Sequence, residues 1–238
     1  MQLILLAAGE GKRLPKNLRK FPKCMIKINK KTIIEHLEKF IKKFEVKTII
    51  TGYKSFKLKK IIKKLNLNEI RNDYYYKTNM VYSMFVPKNI SKLDVVICYT
   101  DIIFDPKIYF NLVKTKNQNI IPINKNWLKV WRGRMNKKMI LKDAENLTLR
   151  EGYISSIGER IGKKFPKYQF MGILKLRYKD YLKLKNYFLK QKIKNIDFTT
   201  FINKAIKKKI INVKSSITSR YWYEIDNLND KKFVEKSL

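Results

Sequence analysis

The segment Leu5-Leu6-Ala7-Ala8-Gly9-Glu10-Gly11-Lys12-Arg13-Leu14 sets two glycines and two cations directly after an apolar run. Glycines let the backbone approach a ligand closely, their amides cradle phosphate oxygens, and a cation at the end of the loop neutralises a polyphosphate. A triphosphate fits this loop. It has neither the Gly-Lys-Ser/Thr ending of a Walker A loop nor the Gly-x-Gly-x-x-Gly dinucleotide spacing, which argues against an ATPase or a dehydrogenase. Ten residues beyond Arg13, Phe21-Pro22-Lys23-Cys24-Met25 reads as a proline-fixed turn presenting a lysine. A strand-end acid, Asp101, follows much later. The single histidine, His36, lies between apolar positions of a predicted helix and reads as a packed or surface residue, not a general base. Cys24 and Cys98 cannot form a disulfide framework, and no CxxC or Cys/His cluster suggests zinc, so both are expected to be reduced and structural.

These groups need a scaffold, and apolar periodicity supplies one. Gln2 to Ala7 is a short buried strand entering the glycine loop. Ile33 to Phe44 carries apolar residues at helical spacing behind Thr32 as N-cap and Glu35 three residues on, a capping-box pattern. Val46 to Ile50 predicts a second strand, Phe56 to Leu65 a second helix and Asn68 to Arg71 a third strand, giving βαβαβ order. Leu93 to Tyr99 predicts a buried strand that delivers Thr100-Asp101 at its C-terminal end. A helix from Pro106 to Val113 and a strand from Asn119 to Ile123 follow, with parallel connections as the natural reading. Later, Leu147 to Arg150 and Tyr153 to Ile157 flank Glu151-Gly152 as a hairpin, and Tyr168 to Leu176 reads as a strand. Tyr178 to Leu189 and Phe198 to Lys207 read as helices, Ile210 to Val213 and Tyr221 to Ile225 as late strands extending the same sheet, and Asp230 to Lys236 as a closing helix. With 238 residues, 45% hydrophobic, and no linker or repeat, one domain with one core is expected across 1–238.

LAAGxGxRL followed by PK at this separation resembles the nucleotidyltransferases of the sugar-phosphate and cytidylyltransferase superfamily. The resemblance implies a three-layer α/β/α Rossmann-like (GT-A-like) fold with a mixed, mostly parallel sheet. Its nucleotide half would be 1–124, and its acceptor and second-metal-ligand half 125–238. It further implies that Leu6, Ala7, Ala8, Gly9, Glu10 and Gly11, with Asn79 and Thr100, grip the nucleotide. Arg13 would bind the β- and γ-phosphates, and Lys23 would bridge the α-phosphate and the incoming phosphate. Asp101, and Asp226 in Tyr223-Glu224-Ile225-Asp226, match the two family carboxylates that hold Mg²⁺, an ion that takes few carboxylates and completes its shell with substrate phosphates. Asn72-Asp73-x-Tyr75 and Asn79-x-x-Tyr82-Ser83 look like a segment of CTP:phosphocholine cytidylyltransferases. The stretch from Trp127 to Met135 with Asp143-Ala144-Glu145 is more similar to CTP:phosphoglutamine cytidylyltransferases. The resemblance covers nearly the whole chain, with two departures. Leu14-Pro15-Lys16-Asn17-Leu18 replaces an Arg-x-Pro-Leu-Thr stretch, and Tyr99 stands where a D-x-D pair has its other acid.

The implied activity is transfer of CMP from CTP to a small phosphorylated amine or amino acid, with release of pyrophosphate, for surface-polymer decoration. A sugar-1-phosphate nucleotidylyltransferase is the close alternative. For the acceptor, Tyr82, Trp127, Trp131, Tyr221 and Trp222 offer aromatic faces to a quaternary ammonium, with core packing the alternative for part of the set. Glu145, with Asp143 or Glu224, offers a partner to a primary ammonium, and Arg134, with Arg132, one to a carboxylate.

The net charge of +36 would attract polyanions, and a nucleic-acid-binding protein on this fold is the alternative of a different class. Yet only nine of the 55 basic residues are arginines, and the lysines spread along the chain on the outer faces of predicted helices, so a solvated surface is expected and nucleic acid is not the expected partner. No apolar run is long enough to cross a bilayer and MQLILLAAG lacks a signal's basic start, so a cytoplasmic location without membrane insertion is expected, with a homodimer compatible.

Overall fold

Along Gln2–Ala7 every residue is buried, and the side chains alternate between two cores: Leu3, Leu5 and Ala7 enter one, Ile4 and Leu6 the other. A strand that is apolar on both faces must sit inside a sheet covered on both sides. The computed structural model, which describes residues 1–162, 164–191 and 195–238, has this arrangement. The sheet runs Asn68–Arg71, Lys47–Thr51, Gln2–Ala7, Val95–Tyr99, Ile173–Leu176, Asn119–Asn124, Val213–Thr218, Tyr153–Arg160, Glu145–Arg150, with Gln169–Phe170 added beside Asn119–Asn124. All strands point the same way except Ile173–Leu176, Gln169–Phe170 and Tyr153–Arg160. The sheet is therefore mixed and mostly parallel, as expected.

One core packs Ile34, Phe40 and Ile41, from the short helices Ile33–His36 and Glu38–Ile41, and Leu37 between them, against one face. The other packs Tyr181, Leu184 and Phe188 from Tyr178–Leu189 and Phe201, Ile202 and Ala205 from Phe198–Lys207 against the opposite face. The single helix expected over Ile33 to Phe44 is divided at Leu37, where i→i−3 bonds such as Leu37 N to Ile34 O tighten the chain. The expected capping box is present: Thr32 accepts from the Glu35 amide, and Glu35 accepts from the Thr32 amide.

Three differences from the sequence reading shape the site. Val95–Tyr99 and Asn119–Asn124 are not neighbours, because Ile173–Leu176 inserts antiparallel between them. The strand expected from Tyr168 to Leu176 is broken at Met171-Gly172, where Gly172 has φ +78 and a Cβ would lie 3.0 Å from the Tyr99 ring. Most consequential is Trp222–Glu224, which does not extend the large sheet as expected. It pairs antiparallel with Ile102–Phe104 in a separate two-stranded ribbon. The strand expected at Ile210 to Val213 starts at Val213 instead, because the preceding helix consumes Ile210: its amide bonds the Ala205 carbonyl across Lys209 at φ +56. Among the described residues no helix is long and apolar enough to cross a membrane.

Candidate active site

The C-terminal ends of Gln2–Ala7 and Val95–Tyr99 lie side by side, Leu6 opposite Tyr99, so the glycine loop and Thr100-Asp101 leave the sheet together. The Thr100 hydroxyl donates to the Leu6 carbonyl (2.7 Å), which ties the two exits. Gly11 sits at φ +63, and the Leu14 amide closes a turn onto its carbonyl (2.9 Å), turning Arg13 back toward the sheet. Pro22 starts a 3₁₀ turn, Lys23–Met25, that carries the Lys23 side chain inward, where it is 15% exposed.

The ribbon of Trp222–Glu224 on Ile102–Phe104 brings the end of the chain to the same place. The Ile225 amide donates to the Asp101 carbonyl (2.9 Å), setting Asp226 beside Asp101. Lys23 Nζ then lies 2.7 Å from Asp101 Oδ2 and 2.5 Å from Asp226 Oδ1, and Arg13 Nη2 lies 2.9 Å from Asp226 Oδ1. Four residues from three distant parts of the chain thus form one charge cluster. Burial opposes the charge on Lys23, but Asp101 and Asp226 outweigh it and raise its pKa. The same balance holds Asp226 below the usual carboxylate range, with Lys23 and Arg13 outweighing its burial. Glu224, two residues away, goes the other way: burial, then Asp226 and Asp101, push it up to about 8.

Two cavities meet at this cluster. The first, of about 300 Å³, is lined by Leu6, Ala7, Ala8, Gly9, Gly11, Lys23, Thr78, Asn79, Thr100 and Asp101. Buried Asn72 shapes its far wall, donating to the Thr78 and Ser83 hydroxyls at 3.1 and 3.0 Å. The second, of about 230 Å³, is lined by Trp131, Arg134, Glu145, Gln169, Phe170, Asp197, Thr199, Trp222 and Glu224. Arg13, Met80, Tyr99 and Asp226 line both, and so form the wall between them. Tyr99 replaces the acid of the D-x-D pattern with a ring shared by the two spaces.

Most of the residues singled out in the sequence line one cavity or the other. Glu10 lines neither and pairs with Lys12 at 3.5 Å. Tyr82 lies outside both, its ring packed between Tyr74 and Phe188. Tyr221 is 42% exposed and stacks on Tyr223. Arg134 lines the second cavity but is spent on Asp230, 2.6 Å away. Asn79 caps the helix Met80–Phe85 with its carbonyl and donates Nδ2 to Asp197 Oδ1 (3.0 Å), connecting the cavities. His36 bonds the Ile28 carbonyl at 3.1 Å, away from the site, and both cysteines are buried and free. The sequence reading did not find Gln169, Phe170, Asp197 or Thr199; of these only Asp197, before the apolar stripe of a helix, carried a local signal, that of an N-cap.

No protein-family model matches the chain. It is 29% identical, over 97% of both chains, to the CTP:phosphoglutamine cytidylyltransferase of Campylobacter jejuni. It is 32% identical to the choline-phosphate cytidylyltransferase of Streptococcus pneumoniae over 37% of this chain and 39% of that one. The solved CTP:phosphocholine cytidylyltransferase of Streptococcus pneumoniae shares the fold at TM-score 0.75 and 18% identity, covering 99% of this chain and 97% of that one. The likeness that spans nearly the whole chain is to a cytidylyltransferase, an enzyme of the nucleotidyltransferase kind. The donor set formed by Asp101 and Asp226 suits a hard cation. Asp101 Oδ1 is buried without a hydrogen-bond partner, a second carboxylate converges on the same ammonium, and no group of three or more His, Cys, Asp or Glu is found among the described residues. Two carboxylates would leave the rest of such a cation's shell to phosphate and water, as Mg²⁺ accepts.

Proposed function

We propose that the protein is a Mg²⁺-dependent cytidylyltransferase, transferring CMP from CTP to a small phosphorylated amine or amino acid and releasing pyrophosphate. The observation that carries this reading is the meeting of two unlike cavities at Arg13 and Asp226, with Lys23 and Asp101 joined to them on the side of the first. The first, walled by the glycine loop and cations, suits a triphosphate. The second holds Asp143, Glu145, Asp197 and Glu224 among aromatic rings; its two arginines, Arg13 and Arg134, are paired with Asp226 and Asp230, and among the described residues its lining has no lysine, in a protein of net charge +36. Such a lining selects a cationic group. CTP as donor, and a phosphorylated acceptor, come from the relatives.

An acceptor phosphate oxygen attacks the α-phosphorus of CTP in line. The new P–O bond forms as the bond to the β-bridging oxygen breaks, and that electron pair leaves on pyrophosphate. A phosphate monoester is ionised at neutral pH, so no general base is needed and the protein supplies alignment and charge. The backbone of Ala7 to Gly11 cradles the nucleotide tail, Arg13 neutralises the leaving phosphates, and Lys23 faces the reacting phosphorus. Asp101 and Asp226 would hold Mg²⁺, which when bound polarises the phosphoryl oxygens. Glu145, whose pKa is raised by burial and by Asp197, and Asp197 itself meet the acceptor's ammonium.

A pyrophosphate-release screen of four nucleoside triphosphates against phosphocholine, phosphoglutamine, 2-aminoethylphosphonate and hexose 1-phosphates tests the reading. Release with CTP and an amine-bearing acceptor is expected. Turnover with hexose 1-phosphates alone, or with none, would overturn it.

A further inference from the structure

Arg134, by sequence a partner for an acceptor carboxylate, is directed elsewhere by the fold. Its side chain is 3% exposed, with Nη1 2.6 Å from Asp230 Oδ1 and Nη2 3.6 Å from Glu224 Oε2, and its guanidinium lies 4.8 Å from the Trp131 ring centre. Asp230 is fully buried. Its other oxygen, Oδ2, accepts the amides of Asp226 (2.8 Å) and Asn227 (3.1 Å). One carboxylate therefore spans a buried guanidinium and the backbone of the residue that meets both Lys23 and Arg13. On its other side the same backbone is fixed by the Ile225 amide on the Asp101 carbonyl. Arg134 gets there because Gly133 packs directly on the C-terminal helix Leu228–Ser237, where a Cβ would lie 2.3 Å from the Phe233 ring.

We propose that Arg134 and Asp230 are a buried positioning pair that sets the Asp226 carboxylate for the nucleotide-bound cation, and that Arg134 does not bind the acceptor. The proposal rests on the reading of Asp226 given above. Asp230 also belongs to the capping box of the C-terminal helix with Asn227. A cap, however, needs only an accepting oxygen, which asparagine supplies equally; a buried guanidinium on the second oxygen is more than capping requires.

The test uses the full chain and its Arg134→Gln, Arg134→Lys and Asp230→Asn variants, plus the Arg134→Gln/Asp230→Asn double variant. Mn²⁺ binding in the presence of a non-reacting CTP analogue is read by electron spin resonance, beside kcat and the KM for the acceptor found active in the screen. Arg134→Gln and Asp230→Asn should each weaken Mn²⁺ binding roughly 10- to 100-fold, the size seen when a group orienting a metal ligand is removed. The acceptor KM should stay unchanged, Arg134→Lys should retain part of the binding, and the double variant should lose less than the two single losses combined, since no charge is left buried alone. A raised acceptor KM with unchanged Mn²⁺ binding would make Arg134 an acceptor ligand and overturn the proposal. Lower melting temperatures with both parameters unchanged would reduce the pair to a packing role and overturn it equally. If Arg134→Gln does not fold, Arg134→Lys and Asp230→Asn carry the same comparison. Wild-type protein that binds no Mn²⁺ with the analogue would sink the reading of Asp226 itself, a different failure from a wild type that binds while its variants do not differ.

Discussion

Asp226 gathers contacts from separate parts of the chain: Lys23 and Arg13 on its carboxylate, Asp230 on its amide. Removing a group aimed at developing charge costs about 10²- to 10³-fold in turnover, so Asp101→Asn, Asp226→Asn and Lys23→Gln should each lower kcat by at least that much in a pyrophosphate-release assay. Glu145→Gln and Asp197→Asn should instead raise the acceptor KM by roughly 10-fold or more while leaving the CTP KM unmoved, the signature of a lost charge-assisted bond to the acceptor. Equal effects on both substrates would remove these acids from the acceptor's wall. The cluster was legible because its glycines, proline and cations are contiguous in short motifs. Asp197 and Gln169 were not, since each reaches the cavity from an element end far along the chain, beside no other reactive residue. Tyr82 and Tyr221 illustrate the opposite difficulty: an aromatic in a polar stretch reads as a pocket wall, but whether its ring faces a void or a neighbour such as Phe188 depends on tertiary packing.

At the scale of elements, the capping box ahead of Ile33–His36 holds the segment just after the Lys23 turn. Thr32→Ala should cost about 1 kcal/mol, the usual worth of an N-cap. In a chain of this size that is a fall of about 2–4 °C in melting temperature, measurable by circular dichroism. Its partner Glu35 accepts from Lys64 and from Thr32, and those bonds depress its pKa to about 2 from an ordinary value of 4.5. A depressed acid stabilises the fold above its unfolded pKa and loses that contribution as protons return. Stability from Glu35 should therefore be intact above pH 4.5 and fade toward pH 2, and in urea titrations across that window Glu35→Gln should flatten the dependence. An equally steep acid limb in the variant would assign it to other carboxylates. This box was readable from Thr-x-x-Glu before an apolar stripe. The ribbon joining Trp222–Glu224 to Ile102–Phe104 was not, because three-residue strands carry little periodicity and their pairing spans over a hundred residues.

Across the whole molecule, the alternating βαβ order of the first half was legible from apolar runs alone. The antiparallel insertion of Ile173–Leu176 and the separate ribbon were not, since strand order in a mixed sheet is decided by long-range packing. The charge of +36 surrounds a cavity rich in acids, so the field outside draws polyphosphates while the lining within favours a cation. Long-range attraction is screened by salt while contacts inside the site persist, so the CTP KM should rise several-fold between low and high ionic strength with kcat little changed. A kcat that falls in step would place the salt effect on the fold or the chemistry instead.

The most direct measurement follows the phosphorus atoms. In a ³¹P NMR time course with CTP, Mg²⁺ and the acceptor found in the screen, the wild-type protein should convert the α-phosphorus of CTP and the acceptor phosphorus into one coupled pair, with an equal amount of pyrophosphate, and Asp226→Asn should leave the three CTP signals and the acceptor signal in place. CTP cut to CDP and phosphate, or the same coupled pair formed at an unchanged rate by Asp226→Asn, would contradict the account.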